Sequence, residues 1–223
     1  MMKILKLVTF TVVISCSNSH LFAQKFGIRA GGNASTMVMK DNDNTYTSSL
    51  IPGFHVGVFY NYELKNTLSF QPEIHFTSKG TSSQLSGAAV IGFPVDSKVE
   101  LTTYNLDIPL NVKSTFDLFK NKMYVTLGPV IGIGLAGKYK SSTSTMGETF
   151  TDSGDIKFGS NADTDNLKRF DLGLGAGVGY QLNHLQFGIN YNFGLLNISP
   201  NTSNGTVNYN RNLSVTIAYT FGE

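Results

Sequence analysis

The last strand-like segment of the chain is the feature that most limits its fold. Between Asn212 and Phe221, apolar and small or polar residues alternate without a break. Because successive side chains of a β-strand point to opposite faces, this pattern predicts a strand with one apolar and one polar face. A strand of this kind suits the wall of a transmembrane β-barrel, where the apolar face contacts lipid and the polar face lines the lumen.

The same period of two recurs along the rest of the chain. Seven further strands are predicted within residues 26–30, 54–62, 68–76, 104–112, 123–135, 170–180 and 185–193. Short connections at 63–66, 116–122 and 182–184 alternate with longer polar ones at 35–50, 80–98, 137–166 and 194–210. The pattern predicts an all-β fold, an eight-stranded antiparallel up-and-down transmembrane β-barrel. Short turns and both termini are expected on the periplasmic side.

Composition distinguishes the inner face from the outer one. One predicted face is apolar, and aromatic residues such as Tyr124 and Tyr219 lie near the strand ends, where membrane girdles form. The opposite face is rich in glycine and carries charged residues, which suits a polar lumen. The alternative is a soluble lipocalin-like barrel that binds a ligand in the periplasm. Such a barrel would need apolar residues around its internal ligand.

The N-terminal residues 1–24 have the pattern of a secretory signal peptide, and residues 25–223 are expected to form the barrel domain. Lys3 and Lys6 precede an apolar stretch that is too short to span a bilayer. Cys16 ends a lipobox-like sequence, so lipidation at Cys16 is the alternative to an ordinary signal peptide ending at residue 24. Removing residues 1–24 would leave 15 basic and 15 acidic residues and no cysteine. This balance argues against nucleic acid as a partner and against disulfides.

Several short motifs together resemble the PorT-like outer-membrane β-barrel family. They are Phe26-Gly27-Ile28-Arg29-Ala30-Gly31-Gly32-Asn33, Phe70-Gln71-Pro72-Glu73-Ile74-His75-Phe76, Leu106-Asp107-Ile108-Pro109-Leu110, Leu127-Gly128-Pro129 and the glycine-alternating segment 171–180. The resemblance implies an eight-stranded barrel in the outer membrane of a Gram-negative bacterium. It also implies a link to protein export through the family's namesake, and it supplies no catalytic residues.

The polar face predicts a network of charges inside the barrel. Its members are Arg29, Glu73, Asp107, Lys113, Arg169 and Asp171. Eight strands leave an interior that side chains fill, so these groups are expected to interlock as a polar plug. A charged gate in a narrow solute or ion conduit is the alternative reading.

Two histidines and a nearby glutamate form the most specific candidate site in the sequence. A turn centred near Lys65 would place His55 and His75 opposite each other, with Glu73 two residues away on the diagonal. Two imidazoles and a carboxylate are suitable ligands for zinc or copper. The trio is therefore a candidate metal site, while membership of the interior network is the plainer interpretation.

No other pattern predicts catalysis or a cofactor. The serine and threonine run at residues 141–145 has no histidine and acid at a spacing that would form a triad. The glycines of 171–180 alternate within a strand and no helix follows, which excludes a nucleotide-binding loop. We therefore expect a non-enzymatic envelope protein with a structural, interaction or export-associated role. It would be a monomeric barrel in outer-membrane lipid, with a possible protein partner at its loops.

Overall fold

The computed structural model of the chain describes residues 25–42, 45–90, 93–118, 121–145 and 147–222. The predicted signal peptide, residues 1–24, and the candidate lipidation residue Cys16 lie outside the described residues. The strands are β1 Lys25–Lys40, β2 Thr45–Thr47, β3 Ser49–Lys65, β4 Leu68–Val90, β5 Phe93–Leu118, β6 Asn121–Thr145, β7 Glu148–Asp155, β8 Phe170–Leu182, β9 Leu185–Gly194 and β10 Val207–Phe221.

Eight of these strands form a closed antiparallel ring. Their order is β1, β3, β4, β5, β6, β8, β9 and β10, and β10 pairs with β1 to close the barrel. The short strand β2 pairs with β1, and β7 pairs with β6. Closure leaves each strand of the ring hydrogen-bonded on both sides, which is what a strand needs where water cannot satisfy its backbone. The predicted fold class is confirmed.

Along the strands of this ring, side chains alternate between the outer and inner faces as the sequence predicts. On β10, Leu213, Val215, Ile217 and Tyr219 are exposed, whereas Ser214, Thr216, Ala218 and Thr220 are buried. An apolar exterior around a polar interior is the reverse of the arrangement in a lipocalin-like soluble barrel. Tyr124 is the exception among the aromatic residues assigned to a girdle, because its side chain is buried in the lumen.

The two ends of the barrel differ. The turn end carries the connections β3–β4, β5–β6 and β8–β9, together with Lys25 at the start of β1 and Phe221 at the end of β10. Asn183 occupies the first position of the two-residue β8–β9 turn with φ 51°, the left-handed conformation that such hairpins favour. The loop end carries the remaining connections.

At the loop end, strands replace two of the predicted loops. Residues 80–98 belong largely to the extended β4–β5 hairpin, and β6 continues to Thr145 before β7 returns along it. Serine and threonine pair across these strands, as in the 3.3 Å contact between Ser97 Oγ and Thr143 Oγ1. These polar residues were assigned to loops because of their polarity. A strand that is solvated on both faces needs no apolar face, so its polarity does not exclude pairing.

A small apolar cluster also lies at the loop end. It joins Met37, Ile156, Leu167 and Ile198, with Met39, Leu101 and Phe158 packed against it. The backbone N–H of Lys168 donates to the carbonyl of Ile198, which connects the segments before β8 and after β9. The connections are thus packed onto each other.

The only helix among the described residues is the 3₁₀ turn Ser203–Gly205. No helix in these ranges has the length and apolarity needed to cross a bilayer.

Candidate functional site

The lumen holds most of the residues that the sequence singled out. Every second residue of each ring strand points inward, so polar side chains from distant parts of the chain meet there. The fully buried polar side chains include Gln71, Glu73, Thr77 and Thr81, all on β4. Strand β4 therefore contributes the largest fully buried polar side chains of the interior.

Glu73 is the centre of the densest contacts. Its Oε2 atom lies 2.7 Å from Arg29 Nη1 and 2.6 Å from His75 Nε2. Its Oε1 atom accepts hydrogen bonds from Gln71 Nε2 at 2.9 Å and from Asn111 Nδ2 at 2.8 Å. A buried carboxylate costs free energy unless it has partners, and here Oε1 accepts two hydrogen bonds while Oε2 lies within ion-pair distance of two side chains. Glu73 therefore cross-links β1, β4 and β5.

Asp107 forms a second ion pair that the sequence reasoning missed. Lys79 Nζ on β4 lies 2.8 Å from Asp107 Oδ1 on β5, and both side chains are buried. Lys79 lies between the predicted strand 68–76 and the predicted connection 80–98, so the sequence pattern does not place it in the network. The period of two itself would have found it, since Lys79 continues the inward series Gln71, Glu73, His75 and Thr77.

Lys113 has neutral partners instead of a carboxylate. Its Nζ donates to Gln186 Oε1 at 2.9 Å and lies 4.3 Å from the centre of the Tyr124 ring. Gln186 Nε2 in turn donates to Thr220 Oγ1 at 2.8 Å, linking β5, β9 and β10. Tyr124 points inward because it lies on the same face of β6 as Thr126 and Gly128, and its ring there contacts the Lys113 ammonium. Apolarity alone had suggested a place for it in the aromatic girdle.

The remaining two network members lie towards the loop end. Asp171 is close to Asp107, because both residues lie opposite Gly132 in the β5–β6 and β6–β8 pairings. Asp171 Oδ2 accepts a hydrogen bond from Asn210 Nδ2 at 2.8 Å. Arg169 precedes β8 and is exposed, and its Nη1 donates to the carbonyl of Gly134 at 3.0 Å. Its guanidinium also lies over the Phe158 ring. Arg169 was predicted to join the interior charges and instead belongs to the loop end, because the alternating register of β8 begins only at Phe170.

The two histidines are neighbours on the diagonal, which corrects the predicted direct pairing. His75 lies opposite Gly57, and His55 lies opposite Thr77. The register differs by two residues because the turn is at residues 66–67 and a bulge follows Glu63. The rings are nevertheless 5.7 Å apart. His55 Nε2 contacts Thr216 Oγ1 at 3.1 Å, while His75 contacts Glu73.

The candidate metal trio His55, His75 and Glu73 is therefore part of the hydrogen-bonded interior. Among the described residues, no group of three or more His, Cys, Asp or Glu side chains has the geometry of a metal site. Glu73 already contacts Arg29, and a guanidinium would compete with any metal ion for the same oxygen.

Little space remains between these side chains. A cavity of about 30 Å³ lies beside Arg29, His55, Glu73 and Asp107. That volume holds about two water molecules. A second space of about 70 Å³ lies at the turn end, next to Lys113.

A family model agrees with this architecture. The family model described as outer membrane protein beta-barrel domain matches residues 22–199. Among solved structures, the chain is similar to the attachment invasion locus protein Ail of Yersinia pestis, with 14% identity and a TM-score of 0.36 over 90% of this chain and 100% of that one.

Two further structures are similar over comparable lengths. Neisserial surface protein A has 14% identity and a TM-score of 0.42, with 88% of this chain and 97% of that chain covered. OprG from Pseudomonas aeruginosa has 12% identity and a TM-score of 0.41, with 90% and 97% covered. No curated protein matches the chain.

Proposed function

Because this chain belongs to the outer membrane protein beta-barrel domain family, we propose that it is a non-enzymatic barrel with a plugged interior. In this proposal, the protein binds an envelope partner through its loop end. The lipid-embedded wall holds the loop end in place, and no solute passes through the lumen. The finer resemblance to PorT-like barrels, and the link to export that it implies, stays a prediction.

The filling of the lumen carries this proposal. Glu73 is held by four side chains from three strands, and Lys79 pairs with Asp107 nearby. An ion crossing the barrel would have to break contacts among buried charges, each of which is costly to leave unpaired. The space of about 30 Å³ beside Arg29 and Glu73 has room for about two water molecules, which is far less than a continuous aqueous channel contains.

The strand extensions support the loop end as the interaction surface. β6 pairs with β8 only through Ile133, and its following residues pair with β5 and β7. Crossing a membrane takes about ten strand residues, so strands of 25 or 26 residues extend well beyond it. Long connections of outer-membrane barrels face the exterior, which would leave the turn end and both termini of the barrel domain in the periplasm.

A gel and bilayer experiment tests the plugged barrel. Outer membranes are separated by electrophoresis with and without boiling, and the purified protein is added to planar lipid bilayers. We expect a heat-dependent change in mobility and no discrete conductance steps. Steps in the wild-type protein that change on Glu73→Gln substitution would favour the conduit instead.

A cross-linking experiment tests the interaction surface. A photoreactive amino acid is placed at Thr151, which is exposed on β7, or at Ile189, which is exposed on the apolar wall. Irradiation of intact cells should give a discrete protein adduct from position 151 and none from position 189. An epitope tag at Gly147 should bind antibody on intact cells, whereas a C-terminal tag should require permeabilised cells. The reverse labelling would contradict the proposed orientation.

A further inference from the structure

Four lysines converge at the turn end of the barrel. Lys25 begins β1, Lys65 ends β3, Lys113 lies near the end of β5, and Lys122 lies at the start of β6. Antiparallel neighbours bring these distant positions to one end, where they line a common space with Glu63 and several polar side chains. We call this space, together with its four lysines, the lysine vestibule.

The charge of the lysine vestibule is unbalanced. Four lysines and one acidic residue, Glu63, line the space, while Asp117 lies opposite Lys122 in the β5–β6 pairing. In the described part of the chain, none of the four forms an ion pair, since the ion pairs there involve Arg29, His75, Lys79 and Lys98. Like charges in a recess with low-dielectric walls create a strong local potential that attracts anions.

Lys113 makes this imbalance costly. Its side chain is 3% exposed, and it lines the vestibule. Its direct partners are the amide oxygen of Gln186 and the face of Tyr124, neither of which carries a charge. A buried ammonium without a counter-charge lowers stability, and an anion in the vestibule would supply one.

We propose that the lysine vestibule binds an oxyanion, a phosphate or a carboxylate group, between Lys65, Lys113 and Lys122. The space of about 70 Å³ holds about five water-sized groups, which matches the five heavy atoms of phosphate. Lysine is a common phosphate ligand because its ammonium presents a compact charge with three donors. Ser69, Thr115 and Thr220 also line the space.

The test is a titration of the whole barrel in uncharged detergent at low ionic strength. Inorganic phosphate and, separately, acetate are added at constant ionic strength while backbone amide chemical shifts are recorded. We expect saturable shifts around residues 65–69 with at least one of the two anions. The relative affinities then distinguish a phosphate site from a carboxylate site.

Two matched double variants separate a specific site from general charge attraction. Lys65→Gln with Lys122→Gln removes two exposed charges from the vestibule, and Lys138→Gln with Lys140→Gln removes two exposed charges from the loop-end part of β6. The first should weaken binding about tenfold, whereas the second should leave it unchanged. Lys113→Met should abolish binding if it folds. Absence of saturation with both anions, or equal weakening in both double variants, would overturn the proposal.

Discussion

Arg29 on β1 reaches Glu73 on β4 across the intervening strand β3, with Arg29 Nη1 2.7 Å from Glu73 Oε2. On β3, Gly57 lies opposite Arg29, and Phe59 lies opposite Glu73. The guanidinium reaches Glu73 beside the Phe59 ring, with its Cζ atom 5.2 Å from the ring centre. The central ion pair of the lumen therefore runs diagonally across β3 and contacts an inward-facing aromatic ring on the way.

Removing the Glu73 carboxylate should destabilise the barrel strongly. In Glu73→Ala, Arg29 would remain buried without its counter-charge, and Gln71 and Asn111 would lose their acceptor. The expected loss is about 3–5 kcal/mol of unfolding free energy, measured by urea denaturation in lipid vesicles. Glu148→Ala, at an exposed position on β7, is the control and should change stability by less than about 0.5 kcal/mol. Equal stability of both variants would refute the central role of Glu73.

A methyl group at Gly57 should also be unfavourable. A Cβ atom there would lie 2.5 Å from His75 Cδ2 and would also meet the carbonyl oxygen of Ile74. Gly57→Ala should therefore cost about 1–3 kcal/mol because packed neighbours must move. Gly32→Ala is the matched control, because its nearest contact would be a carbonyl oxygen at 4.0 Å. The same urea titration compares them, and a larger loss at Gly32 would contradict this explanation.

A lysine introduced at two equally exposed positions should change the stability of the barrel by different amounts. Val215 on β10 is 62% exposed and Phe150 on β7 is 63% exposed. Val215→Lys should cost about 2–4 kcal/mol because the charge would face lipid. Phe150→Lys should be nearly neutral because β7 lies outside the closed ring. Similar yields of heat-modifiable barrel from both variants would show that Val215 does not contact the membrane core.

Tryptophan probes can separate the lumen from the lipid surface, because the chain contains no tryptophan. Tyr219 is 40% exposed on the apolar wall, whereas Tyr124 is 3% exposed inside the barrel. Brominated lipids should quench the fluorescence of Tyr219→Trp and leave that of Tyr124→Trp nearly unchanged. The boiling-dependent mobility of each variant shows that it has folded. Strong quenching at position 124 would show that this residue contacts lipid, as expected for a member of the aromatic girdle.

The candidate site was only partly accessible from the sequence. Alternation along β4 identified Glu73 as an inward-facing residue, but it could not show that Arg29 would be its partner. The assumed turn at Lys65 placed the histidines in the wrong register by two residues, because the turn lies at residues 66–67 and a bulge follows Glu63. Lys79 was missed at a supposed strand end, and Tyr124 was assigned to the wrong face.

Local pattern determined the features that depend on neighbouring residues alone. These are the eight ring strands, their apolar outer face and their polar inner face, because side chains alternate along any extended backbone. Tertiary structure decided which inward residues meet, since those contacts depend on turns, bulges and the closing pair β1–β10. The Arg29–Glu73 ion pair and the lysine vestibule both arise at this level. The ion pair depends on the register of the neighbouring strands β1, β3 and β4, and the vestibule gathers lysines from β1, β3, β5 and β6.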